Sequence, residues 1–188
     1  MASNKELDQR TLRRNIRNVL AQATAEQRQE GRAWYQAAHT FAIGLSERYD
    51  VSVRQACGII AALSPQTKWA RNMQLADTMC RTGRARTLGN GWHPARAIYD
   101  GADPLDILHG LKTRAFFGNI VDPEHSTDVT IDRHACDLAC GLRRGDAYRP
   151  ELRKVGGYDE LARAYRAVAK RLGMPAHVLQ ATTWLIWR

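Results

Sequence analysis

Acidic residues are in short supply in this chain. Asp and Glu number 19 against 28 Lys and Arg, giving a formal net charge of +9. Such a balance favours a polyanionic partner, with nucleic acid first, although a merely soluble basic protein would look the same. Cysteine is also sparse: Cys57, Cys80, Cys136 and Cys140 include no C-x-x-C pair and no iron–sulfur ligand run. No metal and no cofactor is therefore expected. Cys136 and Cys140 stand one helical turn apart and are expected to share an apolar core face. Long hydrophobic runs are missing, which excludes a spanning helix of ~20 apolar residues and any membrane partner of that kind. The charged opening MASNKELDQRTLRRN lacks a signal-peptide pattern. Free thiols then suit a reducing cytoplasm. Strand patterning is absent apart from Val129–Ile131, and there is no repeat or low-complexity tract.

What remains is helical periodicity. Residues 5–22 carry an apolar stripe of Leu7, Leu12, Ile16, Val19 and Leu20. Thr24 with Gln27 forms a capping-box signal for a helix bearing Trp34, Tyr35, Ala38, Phe41 and Leu45. Val53–Leu63 is apolar nearly all round and predicts a central helix that stops at Ser64-Pro65. Further helices are predicted over 67–82, 95–100, 104–109, 111–120, 158–172 and 175–187. Residues 141–156 look like an exposed basic connector. An all-α fold follows: one compact unit over 1–188, with approximate lobes of 53–140 and of 1–52 plus 141–188, and expected to be a monomer.

Two residues attract chemical attention. Asp132 follows an apolar run and precedes a helix, where backbone N–H groups would hold its carboxylate. Such a group stabilises positive charge developing on a sugar and orients a nucleophile; it could equally be a plain helix cap. Lys112 begins another predicted helix. As a nucleophile it would need its pKa brought from ~10.4 to ~7, roughly 4–5 kcal/mol of lost preference for the ammonium form. Burial or the nearby cations Arg114 and Arg133 would have to supply that. The bland alternative is a phosphate contact.

LKTRAFFGNI (111–120) and VTIDRHA (129–135) together resemble the lysine helix and the I-D-R-H segment of helix-hairpin-helix DNA glycosylases. The likeness is to endonuclease III and to the compact 8-oxoguanine glycosylase/lyases. Lys112 and Asp132 are twenty residues apart, near the interval usual in that family. GIIAALSPQTKWARN resembles the endonuclease III segment L-L-S-A-Q-A-T-D, and ATTWLIWR is similar to the helix closing that fold. The glycine-rich hairpin of the family is reduced here to His109-Gly110-Leu111. The resemblance implies a two-lobed helical bundle with a central DNA cleft. It makes Asp132 the catalytic aspartate, Lys112 the Schiff-base lysine and Gln66 a probe of the duplex. A phage-borne divergent member, working in the host cytoplasm, fits the same resemblance.

Other candidates are weaker. Ser64, Gln66 and Trp69 sit in a polar-aromatic break between helices, and Asn72 shares a face with Trp69; these four could contact a base or phosphate. Tyr35 and His39 share a face at i, i+4 and could stack an extruded base, or simply belong to the core. His134 could orient Asp132, and Asp137 could pair with Arg133 on the surface. Arg81, Arg84, Arg86, Arg143, Arg144, Arg149, Arg153 and Lys154 fit phosphate contact; the GNG at 89–91 is no phosphate loop, since no G-K-[ST] follows. Three functions are compatible: a glycosylase with or without lyase activity, a base-modifying enzyme of the same fold acting on a thymine derivative, and a non-catalytic DNA-binding protein.

Overall fold

A computed structural model describes residues 7–85, 92–145 and 147–188. Its elements are α1 (Gln9–Ala21), α2 (Ala25–Arg48), α3 (Val53–Leu63), α4 (Trp69–Thr82), α5 (Trp92–Tyr99), α6 (Pro104–Ile107), α7 (Leu111–Val121), α8 (Arg133–Cys140), α9 (Pro150–Arg153), α10 (Gly157–Leu172) and α11 (Ala176–Trp187). The fold is all-α, with no strand among the described residues. None of the described helices is long and apolar enough to cross a membrane. Two units emerge: Met1–Trp34 with Thr127–Arg188, and Tyr35–Ser126.

The first unit is built on α1, which packs against α8, α10 and α11. Asp8 caps α1 by accepting from the N–H groups of Arg10 (3.0 Å) and Thr11 (3.3 Å). Leu12, Ile16, Val19 and Leu20 then face a core of Leu138, Leu161, Tyr165 and Leu179. Each such aliphatic burial contributes about 1.5–3 kcal/mol. Thr24 and Gln27 close the expected capping box at the start of α2, with reciprocal bonds of 3.0 and 3.2 Å. Gly31 lets α2 approach α11, since a Cβ there would lie 2.7 Å from Thr182 Cα.

Val129–Ile131 is extended but is no strand. One side chain holds two of its backbone groups: the Tyr158 hydroxyl donates to the Val129 carbonyl (2.8 Å) and accepts from the Ile131 N–H (3.1 Å). Burial pushes this hydroxyl up to about 12, so it stays a donor at neutral pH. The chain leading into Asp132 is thereby fixed.

In the second unit α3 is central. Ala56, Cys57, Ile59, Ile60 and Leu63 are all buried, and α4, α5, α6 and α7 pack around them. Ser52 and Gln55 form a capping box at its start. Burial also pushes the Cys57 and Cys80 thiols up to about 12, which makes both inert.

Two expectations change. The units divide within α2 and after Ser126 rather than at residues 52 and 140. The reason is that α8 buries Ala135, Leu138 and Ala139 in the core shared with α1, α10 and α11. Residues 141–156 are not a uniformly exposed basic strap either. The Arg149 guanidinium lies buried on Asp137, donating through Nε (2.8 Å) and Nη2 (2.6 Å). Arg144 donates twice to Glu151, at 2.7 and 3.0 Å, and Lys154 pairs with Glu160 at 2.9 Å. These three cations are spent on the fold. Asp137 accordingly pairs with Arg149, not with Arg133.

Candidate active site

Asp132 is the N-cap of α8 and is half-buried. Its Oδ1 accepts from the Ala135 N–H at 2.8 Å, and its Oδ2 accepts from the Trp184 indole N–H at 3.1 Å. It is therefore a cap, and a second donor from α11 fixes the plane of its carboxyl group as well. Trp184 and Ala135 orient the acid, in place of the His134 expected for that task. His134 instead lies 3.4 Å from Arg133 Nε. Trp184 also packs on Trp34, with ring centroids 5.2 Å apart and planes tilted by 50°, and the Arg188 guanidinium stands 4.5 Å over its ring. Arg143 lies 4.1 Å over Trp187 on the same helix. A half-buried carboxylate beside partly exposed indoles and arginines offers what an unstacked nucleotide requires: a planar surface, cations and an oriented acid.

Lys112 belongs to the second unit. Glycine N-caps its helix without a side-chain hydrogen bond, and the lysine is half-buried. Its Nζ lies 3.5 Å from Ser64 Oγ, and Ser64 is itself buried at the end of α3. The turn that follows, Ser64 to Thr67, closes with a Thr67 N–H to Ser64 carbonyl bond of 3.2 Å. Pro65 precedes Gln66, and Gln66 holds a left-handed φ of 57°. This position usually takes glycine, and a side chain there costs about 1–2 kcal/mol. Gln66 is exposed, so nothing in the core demands the strain.

Asn72 braces this turn from within α4. Buried to 1 % exposure, it donates from Nδ2 to the Ile60 carbonyl at 3.1 Å, while its buried Oδ1 accepts no hydrogen bond from the described residues. Trp69 meets Phe116 edge-on at 6.5 Å. Tyr35 does the same at 6.1 Å and is only 3 % exposed, so it is a core residue rather than a stacking platform. His39 contacts the Ile120 carbonyl through Nδ1 at 2.7 Å, which fixes the tautomer with the proton on that nitrogen. Arg114 is exposed and turns back onto the Leu105 and Leu108 carbonyls at 2.9 and 3.2 Å, which anchors the α6–α7 link. Arg133 is exposed beside the acid. Arg84 joins Arg71, Arg96 and Trp92 along an open groove of this unit. Arg86 and the GNG segment lie outside the described residues.

Sequence reasoning missed Trp184 as the partner of Asp132. The available signal was the spacing of Trp184 and Arg188 on one face of the last helix. It also missed the approach of Glu151 to Cys136 and Cys140.

The whole chain, residues 1–188, matches the model of a family of unknown function (DUF7178), and the protein belongs to that family. No curated protein and no solved structure matches it.

Proposed function

We propose that this protein is a DNA glycosylase-type enzyme that acts on a modified or damaged base. The observation that carries this is the doubly held carboxylate of Asp132. Its fixed orientation and the adjoining Trp34–Trp184 pair suit stabilisation of charge on a sugar whose base is leaving. The net charge of +9 supports a nucleic-acid partner. The strained, exposed Gln66 supports a residue that fills the gap left by an extruded base.

In this scheme the nucleotide is unstacked at a cost of a few kcal/mol, less for a damaged base. Asp132 supports departure of the base. Lys112, held beside Ser64, attacks the anomeric carbon as the free amine and displaces the base, which leaves with a proton; opening of the sugar ring, with O4′ departing as a hydroxyl, then gives an imine that permits strand cleavage. The test is a panel of modified-base oligonucleotides analysed by mass spectrometry for free base and for intact nucleosides. Free base is expected. A heavier nucleoside without release would replace excision by base modification on the same scaffold. Borohydride trapping on abasic-site DNA examines the lysine separately: absence of a covalent adduct would remove the lyase step.

A further inference from the structure

A second cluster in the first unit has no part in that chemistry. Cys136 and Cys140 lie one turn apart on α8, and Glu151 reaches them from α9. One donor atom from each falls within 4.8 Å of the other two. We propose that Cys136, Cys140 and Glu151 form a binding site for a thiophilic divalent cation of the zinc class.

The donor set favours that choice. Two thiolates select zinc over magnesium or calcium, and a carboxylate is a common third ligand. With Zn–S near 2.3 Å, a tetrahedral site needs its sulfurs about 3.8 Å apart. The two sulfurs therefore have to close by about 1 Å at most, and the carboxylate oxygen, with its shorter bond to zinc, by up to about 1.3 Å, which rotamer adjustment supplies. Cys136 is buried, whereas Cys140 and Glu151 are half-buried, so one side of the site admits an ion and a solvent ligand. Arg144 completes the charge balance. It donates to both oxygens of Glu151 and is only 14 % exposed. The cation's two positive charges and the guanidinium offset two thiolates and one carboxylate. A carboxylate oxygen bonded to arginine still has a lone pair for metal, and hydrogen bonding of this sort orients ligating carboxylates. Binding releases the thiol protons, with no change in oxidation state.

The experiment uses the reduced full-length chain after treatment with EDTA, and zinc chloride alone as the probe. Calorimetry in two buffers of different ionisation enthalpy should give one site with net proton release. Cobalt chloride should give a thiolate charge-transfer band in the near ultraviolet. Cys140→Ser and Glu151→Gln should weaken zinc by ~100-fold or more, and Cys80→Ala should not. On the wild type, zinc should slow alkylation of Cys140, a readout independent of whether a variant folds. The inference is overturned by absence of the cobalt band, by stoichiometric zinc binding unchanged in Cys140→Ser, or by alkylation of Cys140 indifferent to zinc.

Discussion

Replacing Arg149 with methionine should destabilise the protein far more than removal of a surface arginine. Its guanidinium is 9 % exposed and makes four short bonds: two to Asp137, and one each to the Ala147 (2.7 Å) and Gly145 (2.6 Å) carbonyls. Methionine fills part of the volume but leaves Asp137 at 3 % exposure without its bidentate partner. Only the Arg144 N–H at 3.2 Å and the Arg144 Nε at 3.6 Å would remain beside it. Breaking a buried pair in this way costs about 3–5 kcal/mol. At about 2–4 °C per kcal/mol for a chain of this length, the melting temperature should fall by about 6–20 °C. Combining Arg149→Met with Asp137→Leu should recover most of the loss, because the stranded charge is then gone. Melting by circular dichroism on the two single variants and the double variant measures this. A methionine variant that melts with the wild type but binds DNA more weakly would refute the reasoning and return Arg149 to a phosphate-contacting role.

Three further outcomes are expected. Burial pushes Glu151 up more than any other single effect, but the Arg144 hydrogen bonds, the backbone N–H and the arginine's charge together hold the carboxyl below its ordinary value of 4.5. Stability from that pair is thus fully present above pH 4.5 and is lost as pH falls through the lower folded value. In metal-free buffer, the urea-midpoint gap between wild type and Glu151→Gln should be widest near neutrality and close in acid; a gap independent of pH would contradict this. Gln66→Gly should raise stability by about 1 kcal/mol, because glycine accepts a φ of 57° freely, while base release falls; unchanged release would leave the strain without a function. Trp184→Phe keeps a ring against Trp34 but deletes the donor to Asp132 Oδ2. A hydrogen bond to a charged acceptor contributes about 1.5–3 kcal/mol, so single-turnover base release should slow by about ten- to a hundredfold, and wild-type rates would show that the indole does not position the acid.

Features governed by neighbours along the chain were legible in the sequence. The Thr24–Gln27 capping box, the helix Val53–Leu63 and the capping role of Asp132 all depend on contacts within a few residues. Pro65 likewise announced the turn, though not the left-handed glutamine that follows it. What escaped were pairings set by tertiary packing. Trp184 meets Asp132 across 52 positions, and Lys112 meets Ser64 across 48. The i, i+4 rule pointed Asp137 toward Arg133. In the structure the connector folds back, and burial favours the bidentate Arg149 over an exposed neighbour. The carbonyl partners of Arg114 escaped for a related reason: its charge drew attention to Lys112, and no side-chain pattern announces the Leu105 and Leu108 carbonyls that hold it.

Single-turnover base release by wild type and Asp132→Asn on the best substrate of the modified-base panel bears most directly on function. Asparagine still caps α8 through the Ala135 N–H, so the helical circular dichroism signal should persist. Loss of the carboxylate charge should slow release by about 10²–10⁴-fold. An Asp132→Asn protein that is folded and releases base at the wild-type rate would contradict the assignment of this acid as the group that drives the reaction.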